Sequence, residues 1–259
     1  MTEQAVRDSE PILQEVENKV GYITLNRPNN YNALNTELMR NLKRSLLEFN
    51  KNESVHCIVI RGAGNAFSAG ADIKEFSSQT DNKAKIEERA QLTMEIHQMV
   101  NKLDKPVIAS VQGYVYAGGC GIALGSDLVV AADNAVFSYP EIKRGFVPAI
   151  VSPNLVRILD RKRAFELLIT GRKLHADEAY SWGLVNEVIP LEDLASRTKE
   201  FAEEIAAYSL NALTMTKNLF YEVAEGDFDN ALQTARQSNI KMRQTDAFKK
   251  GVESFINRK

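Results

Sequence analysis

Cysteine is scarce in this chain. Only Cys57 and Cys120 occur in 259 residues, too few and too far apart for a disulfide framework or a cysteine-based zinc site. The three histidines, His56, His97 and His175, are scattered and have no short metal-ligand spacing. No apolar run approaches the roughly 20 residues that a membrane-spanning helix needs. The polar stretch Met1 to Glu10 has neither the apolar core of a signal peptide nor an arginine-rich amphipathic pattern, so the cytoplasm is the expected location. An excess of charge is missing too: 32 Lys and Arg against 34 Asp and Glu leave a formal net charge of -2. Neither nucleic acid nor an anionic membrane is therefore expected as a partner.

Two phosphate-binding signatures are also absent. The small-residue stretch from Arg61 to Phe76 holds Gly62, Gly64 and Gly70, yet no Gly-Lys-Ser/Thr closes it and it has no G-x-G-x-x-G spacing. What remains is a loop with accessible backbone after a predicted strand at 55–60, with Asp72 placed to cap the turn that follows. Ligands of α/β sheets sit at such strand ends.

A second loop of this kind organises the chain. An apolar strand at 107–111 leads through Gly113 to Tyr116-Ala117-Gly118-Gly119-Cys120-Gly121, then to a second strand at 128–132 and to Phe137-Ser138-Tyr139-Pro140-Glu141. Glycines directly after a strand let backbone N–H groups approach a ligand. Amide donors joined by one placed carboxylate suit a reaction that builds negative charge on a carbonyl oxygen while a proton moves nearby. Tyr116, Tyr139 and Asp127 lie close by and read as structural: two packed rings and a capping or ion-paired acid.

Around these loops the periodicity predicts an α/β fold. Strands at 12–16 and 21–25 form a hairpin, and Thr36 caps a helix with Leu38, Leu42, Leu46 and Phe49 on one face. A helix bearing Leu92, Ile96, Met99 and Leu103 ends at Lys105-Pro106. Ser152-Pro153 starts another, with Ser as cap, and 184–189 gives a last strand. From Leu191 glycine and proline become rare, and helices follow at about 191–208, 211–225, 228–244 and 246–257. The expected organisation is a core over 1–190 and a helical oligomerisation region over 191–259.

Asn26-Arg27-Pro28, Asn32-Ala33-Leu34, the run Phe67 to Lys74, Ala117-Gly118-Gly119-Cys120, Pro140-Glu141 and Phe255-Ile256-Asn257-Arg258 occur in an order and spacing that resembles the enoyl-CoA hydratase/isomerase (crotonase) superfamily along nearly the whole chain. The resemblance implies a spiral of repeated strand-strand-helix units, with C-terminal helices that build a homotrimer or a hexamer. It implies an acyl-CoA thioester substrate, whose oxygen is bound by the backbone N–H groups of Ala71 and Gly118, and Glu141 as the catalytic acid/base. Asn26, Arg27, Ala69, Asp72, Ile73 and Lys74 match positions along the nucleotide end of coenzyme A, with Phe255 and Arg258 reaching it from the next subunit. Coenzyme A being part of the substrate, no separate cofactor and no metal are implied.

One position departs from the pattern. Typical hydratases of this family carry a first glutamate directly after Gly-Gly-Cys, where this chain has Gly121. A lone Glu141 must then both activate water and handle the α-carbon proton, or do the simpler work of a Δ3,Δ2-enoyl-CoA isomerase. The run Glu141 to Pro153 resembles a branch of hydratases of branched acyl-CoA, related to methylglutaconyl-CoA hydratase, in which glycine at the first position is tolerated. Hydratase is the expectation, isomerase the alternative, and a non-catalytic acyl-CoA-binding protein or RNA-binding surface the reading from another class. The acyl end is expected between 79–94 and 146–151.

Overall fold

The computed structural model describes residues 10–79, 82–224 and 226–257. β1 (Ile12–Glu17) and β2 (Val20–Leu25) form the antiparallel hairpin, its turn made by Asn18 and Lys19 at φ 47° and 67°. Helix α1 (Thr36–Lys51) buries Leu38, Leu42, Leu46 and Phe49 as expected, but Asn35 caps it instead of Thr36. The Asn35 side chain accepts from Leu38 N–H at 2.9 Å, leaving Thr36 as the first helical residue.

From β3 (Cys57–Gly62) the chain winds through repeated turns. β3 runs into β4 (Ala66–Ser68), then α2 (Ile73–Gln79) and α3 (Lys83–Lys102). β5 (Val107–Val111) runs into β6 (Tyr114–Tyr116) and α4 (Gly118–Leu124), and β7 (Leu128–Ala132) into β8 (Val136–Ser138). The first strand of each turn joins a six-stranded sheet, and the second joins a four-stranded sheet completed by β9 (Leu174–His175). Each step between turns is parallel, β3 to β5 to β7 in one sheet and β4 to β6 to β8 in the other. The expected spiral is therefore the observed one.

The corner between β5 and β6 requires glycine. Gly113 has φ +55°, and a Cβ there would lie 2.0 Å from the Asn65 carbonyl oxygen. Between the sheets and helices lies the main core, from Ile23 and Leu38 through Phe67 and Val111 to Phe137 and Leu167. Burial of these apolar side chains is the main stabilising term.

Two local expectations give way to packing. Of the predicted strand at 184–189, only β10 (Glu187–Ile189) pairs, parallel to β7, because Leu184 and Val185 turn into the core. In α5 (Ser152–Ile158) Ser152 is helical, and its hydroxyl donates back to the Pro148 carbonyl instead of capping. α6 (Arg161–Thr170) and α7 (Ala176–Ser181) follow.

The helical region begins with α8 (Leu194–Ala206), which lies on the outer face of the large sheet. Its Leu194, Ala202 and Ala206 pack with Val20, Tyr22, Cys57 and Val59, while Thr198 meets Ser110 at 2.9 Å. α9 (Leu210–Ala224), α10 (Phe228–Arg243) and α11 (Asp246–Ile256) have only Lys217 buried among their described residues. Lys217 anchors α9: its ammonium donates to the carbonyls of Val100 and Lys105, each at 2.9 Å, and to Asp127 at 2.6 Å. No helix among the described residues is long and apolar enough to cross a membrane.

Candidate active site

The two small-residue loops meet at Leu34. Leu34 N–H donates to Gly70 O at 2.7 Å and Leu34 O accepts from Asp72 N–H at 3.2 Å, so Leu34 bridges the residues on either side of Ala71. That alternation turns the Ala71 N–H away from Leu34. A guanidinium supports the arrangement from behind. Buried Arg89 donates to the Leu34 carbonyl and sits 3.7 Å from Glu75, whose carboxylate accepts the Thr36 N–H at 3.0 Å.

Gly70 makes direct contact with the second loop: at φ +87°, a Cβ on it would lie 2.8 Å from both Tyr116 O and Ala117 Cβ. Ala117 itself has φ 50° and ψ -118°, a strained conformation for a residue with a side chain, and such strain costs about 1–3 kcal/mol where it is held. It is held by the Ala117 N–H donating to Ser138 O at 2.9 Å. Gly118 then opens α4, so its N–H has no partner within the helix. A Cβ on Gly118 would lie 3.0 Å from Leu34 Cδ1, and one on Gly119 would lie 2.7 Å from Ser68 O. Leu34 thus touches both loops, and Ala71 and Gly118 flank it.

Glu141 stands in a short 3-10 turn, Pro140–Arg144, directly after β8. Its Oε2 is buried and has no hydrogen-bond partner among the described residues. Burial pushes its carboxyl above the usual range, while its own backbone N–H and the Arg144 charge pull the other way. The carboxyl lies near enough to α4 for its charge to act on Cys120. Cys120 is fully buried with its thiol pushed up, donating to Val115 O at 2.7 Å. Both cysteines are free, and burial raises the Cys57 thiol to about 12.

The residues expected along the nucleotide end divide by their partners. Arg27 and Asp72 pair with each other at 3.0 Å, and Arg27 also donates to Ala33 O. Asp72 caps the turn by accepting from Lys74 N–H at 3.2 Å. Asn26 ties down the start of the described chain, donating to Pro11 O and Glu10 O, and Ala69 N–H donates to Tyr31 O. Ile73 and Lys74 are exposed at the start of α2, and Phe255 is 80% exposed on α11. Arg258 lies outside the described residues.

Asp127, read as structural, is so: it accepts from Lys217, from Tyr221 OH at 2.7 Å and from Val107 N–H at 2.7 Å. Tyr139 is buried and Tyr116 stacks near Tyr114 at 5.1 Å. His97 and Arg89 are the residues that sequence reasoning passed over. A Cβ on Gly121 would lie 2.0 Å from His97 Nε2 and 3.0 Å from Val151 Cγ1. The imidazole of His97 therefore stands where a side chain at position 121 would begin. Its Nδ1 is 2.8 Å from Thr93 O, which can only accept, so Nδ1 carries the proton and Nε2 is left as an acceptor in the neutral ring. Burial lowers the imidazole's proton affinity, and Nε2 has no partner among the described residues. No sequence signal joins positions 97 and 121, since they meet only through the packing of α3 on α4. Among the described residues, no three His, Cys, Asp or Glu side chains cluster as metal ligands.

Against this geometry, the comparisons with known proteins agree with one another. The sequence model described as enoyl-CoA hydratase/isomerase matches residues 15–259. A probable mitochondrial enoyl-CoA hydratase of Dictyostelium discoideum is 35% identical over 246 residues, covering 95% of this chain and 87% of its own. A putative enoyl-CoA hydratase of Thermus thermophilus is 34% identical over 249 residues, covering 96% and 98%. In three dimensions, the crystal structure of an enoyl-CoA hydratase of Mycobacterium smegmatis superposes with a TM-score of 0.92 at 31% identity, covering 96% of this chain and 97% of that one. With the match spanning nearly its whole length in sequence and in three dimensions, the chain belongs to the enoyl-CoA hydratase/isomerase family.

Proposed function

We propose that this protein adds water to a 2-enoyl-CoA, with the thioester oxygen held by the N–H groups of Ala71 and Gly118 and the α-carbon proton handled by Glu141. The observation that carries this reading is the contact of Gly70 with Tyr116 and Ala117, which brings the two loops together around Leu34 while Glu141 Oε2 stays buried and unpartnered. Two amide donors aimed at a developing enolate are worth about 3 to 4 kcal/mol each where water is excluded. Burial that raises the carboxyl's proton affinity suits a group that must carry a proton to carbon. The hydratase names of the relatives favour water addition over double-bond migration.

Lys74, exposed at the start of α2, is the proposed partner of a coenzyme A phosphate. Arg27 and Asp72, paired with each other, shape the loop that the nucleotide crosses. Phe255, with Arg258, serves a neighbouring subunit in a homotrimer or hexamer, in line with its exposure. Coenzyme A arrives as part of the substrate, and the reaction requires no further cofactor.

A spectrophotometric comparison of crotonyl-CoA, methylglutaconyl-CoA and a 3-enoyl-CoA tests the reading. Hydration of the first or second supports it. Turnover of the 3-enoyl-CoA alone would make the protein an isomerase, and binding without turnover of any would make it a carrier.

A further inference from the structure

We infer that His97 is the second proton-handling group of this site, with Nε2 holding the water that adds to the β-carbon and taking its proton. The inference rests on the hydratase reading above and supplies the water side that Glu141 alone would otherwise have to serve.

The space comes first. A residue with a side chain at position 121 cannot coexist with His97 as placed, because its Cβ would fall 2.0 Å from Nε2 and 2.4 Å from Cδ2. Gly121 and the imidazole are thus one arrangement: the helix gives up its side chain and α3 supplies a ring from the other side. Val151, at the end of the segment expected to line the acyl chain, closes the same spot at 3.0 Å from the absent Cβ.

The chemistry of the ring comes second. The Thr93 carbonyl fixes the proton on Nδ1, which leaves a lone pair on Nε2. His97 is only 5% exposed, and that nitrogen has no acceptor's partner among the described residues. Were the ring there merely to fill volume, leucine or methionine would do so without burying an unsatisfied acceptor. A second unpartnered polar atom lies one helical turn along: Asn154 Nδ2 would be 2.9 Å from a Cβ on Gly125. Gly121 in α4 and Gly125 just past its end are therefore bordered by an unpartnered acceptor and an unpartnered donor. Burial keeps the imidazole neutral, so Nε2 is free to accept.

In the proposed step, the water oxygen bonds to the β-carbon as the carbon–carbon π bond opens toward the thioester oxygen. The proton leaving that water goes to His97 Nε2, and the Glu141 carboxyl gives its proton to the α-carbon. The product gains one H and one OH. The proton on His97 then returns to the Glu141 carboxylate through the next water, and both groups regain their starting forms.

The test separates water addition from α-carbon chemistry. Wild type, His97→Leu, His97→Ala, Gly121→Glu and the double variant His97→Ala/Gly121→Glu are assayed for crotonyl-CoA hydration, and for deuterium uptake at the α-carbon of saturated butyryl-CoA in deuterated water. For His97→Leu we expect hydration to fall by about a hundredfold or more while α-exchange stays within about threefold of wild type. Gly121→Glu alone should hydrate poorly because its side chain meets His97. Removing that ring in the double variant should recover at least about tenfold over either single change, by restoring a second acid/base from α4. Wild-type hydration in His97→Leu would overturn the inference and leave the hydratase reading standing. Hydration and exchange falling together with the melting temperature would reduce His97 to a packing role, as would a double variant no better than His97→Ala. A wild-type protein that exchanges the α-hydrogen yet hydrates nothing would overturn the hydratase reading and this inference with it.

Discussion

Gly70 approaches Ala117 so closely that a methyl group on the glycine would lie 2.8 Å from the alanine Cβ and equally near the Tyr116 carbonyl oxygen. Gly70→Ala meets two obstacles, this contact and a φ of +87° that side chains rarely adopt. Together they should cost about 1–3 kcal/mol of stability. The larger effect should be on turnover, because relief of the clash separates Ala71 from Gly118. We expect kcat/KM for crotonyl-CoA to fall at least about tenfold, measured beside urea unfolding. Unchanged kcat/KM in a folded variant would show that the loops need not touch.

The elements that follow local rules were legible in the sequence. Val107–Val111 and Leu128–Ala132 are strands within the bounds their apolar runs suggest, and the helices from Leu210 onward lie within about two residues of expectation. The resemblance marked Ala71, Gly118 and Glu141, and the structure brings the loops of the first two into contact. What escaped is what tertiary packing decides. Thr36 lost the cap to Asn35, its neighbour and the stronger capping residue of the two. Leu184 and Val185 left the strand pattern to fill the core. Position 121 read as a missing glutamate, whereas in space it is a position filled by His97, 24 residues earlier in the chain on a different helix.

A second prediction concerns the buried pair that fastens α9 to the core. Lys217 and Asp127 have side chains 5% and 16% exposed and lie 2.6 Å apart. Lys217→Met strips the Val100 and Lys105 carbonyls of their donor and leaves Asp127 charged beside Tyr221 and Val107 N–H. Removing one partner of such a pair costs about 3–5 kcal/mol. Lys217→Met/Asp127→Asn should be less destabilised than the sum of the single changes, in a double-mutant cycle by chemical denaturation. Additivity would show that the two groups act independently.

Assembly gives a third. Phe220, Phe228 and Leu232 are large apolar side chains left more than half exposed on α9 and α10, a patch that calls for a partner surface. We expect a trimer or a dimer of trimers by light scattering. A chain ending after residue 209 should be insoluble or monomeric, and Phe228→Glu/Leu232→Glu should dissociate the assembly. A stable monomer of the full chain would remove the basis for assigning Phe255 to a neighbouring site.

The last prediction uses Glu141 to read one burial in two ways. Its carboxyl ionises less readily in the folded chain than when solvated, chiefly because burial disfavours the charge, against the pull of its own N–H and of Arg144. A group with a raised folded pKa adds stability only while protonated. That contribution is complete below the unfolded value, about 4.3 for glutamate, and is lost as pH rises through the folded value. At neutral pH wild type should therefore melt below Glu141→Gln, whose amide is never charged, and the gap should close as pH falls toward about 4. Catalysis should move the opposite way. The amide keeps the shape but cannot move a proton, so hydration and α-carbon exchange should both drop by at least about a hundredfold, while affinity for a saturated acyl-CoA stays near wild type. Melting curves across pH, run beside the two assays, check both halves. Retained turnover would make Glu141 a mere cap of its turn. A melting gap that does not change with pH would show that Oε2 is solvated in the folded protein, and that its proton affinity is not what suits it to the α-carbon.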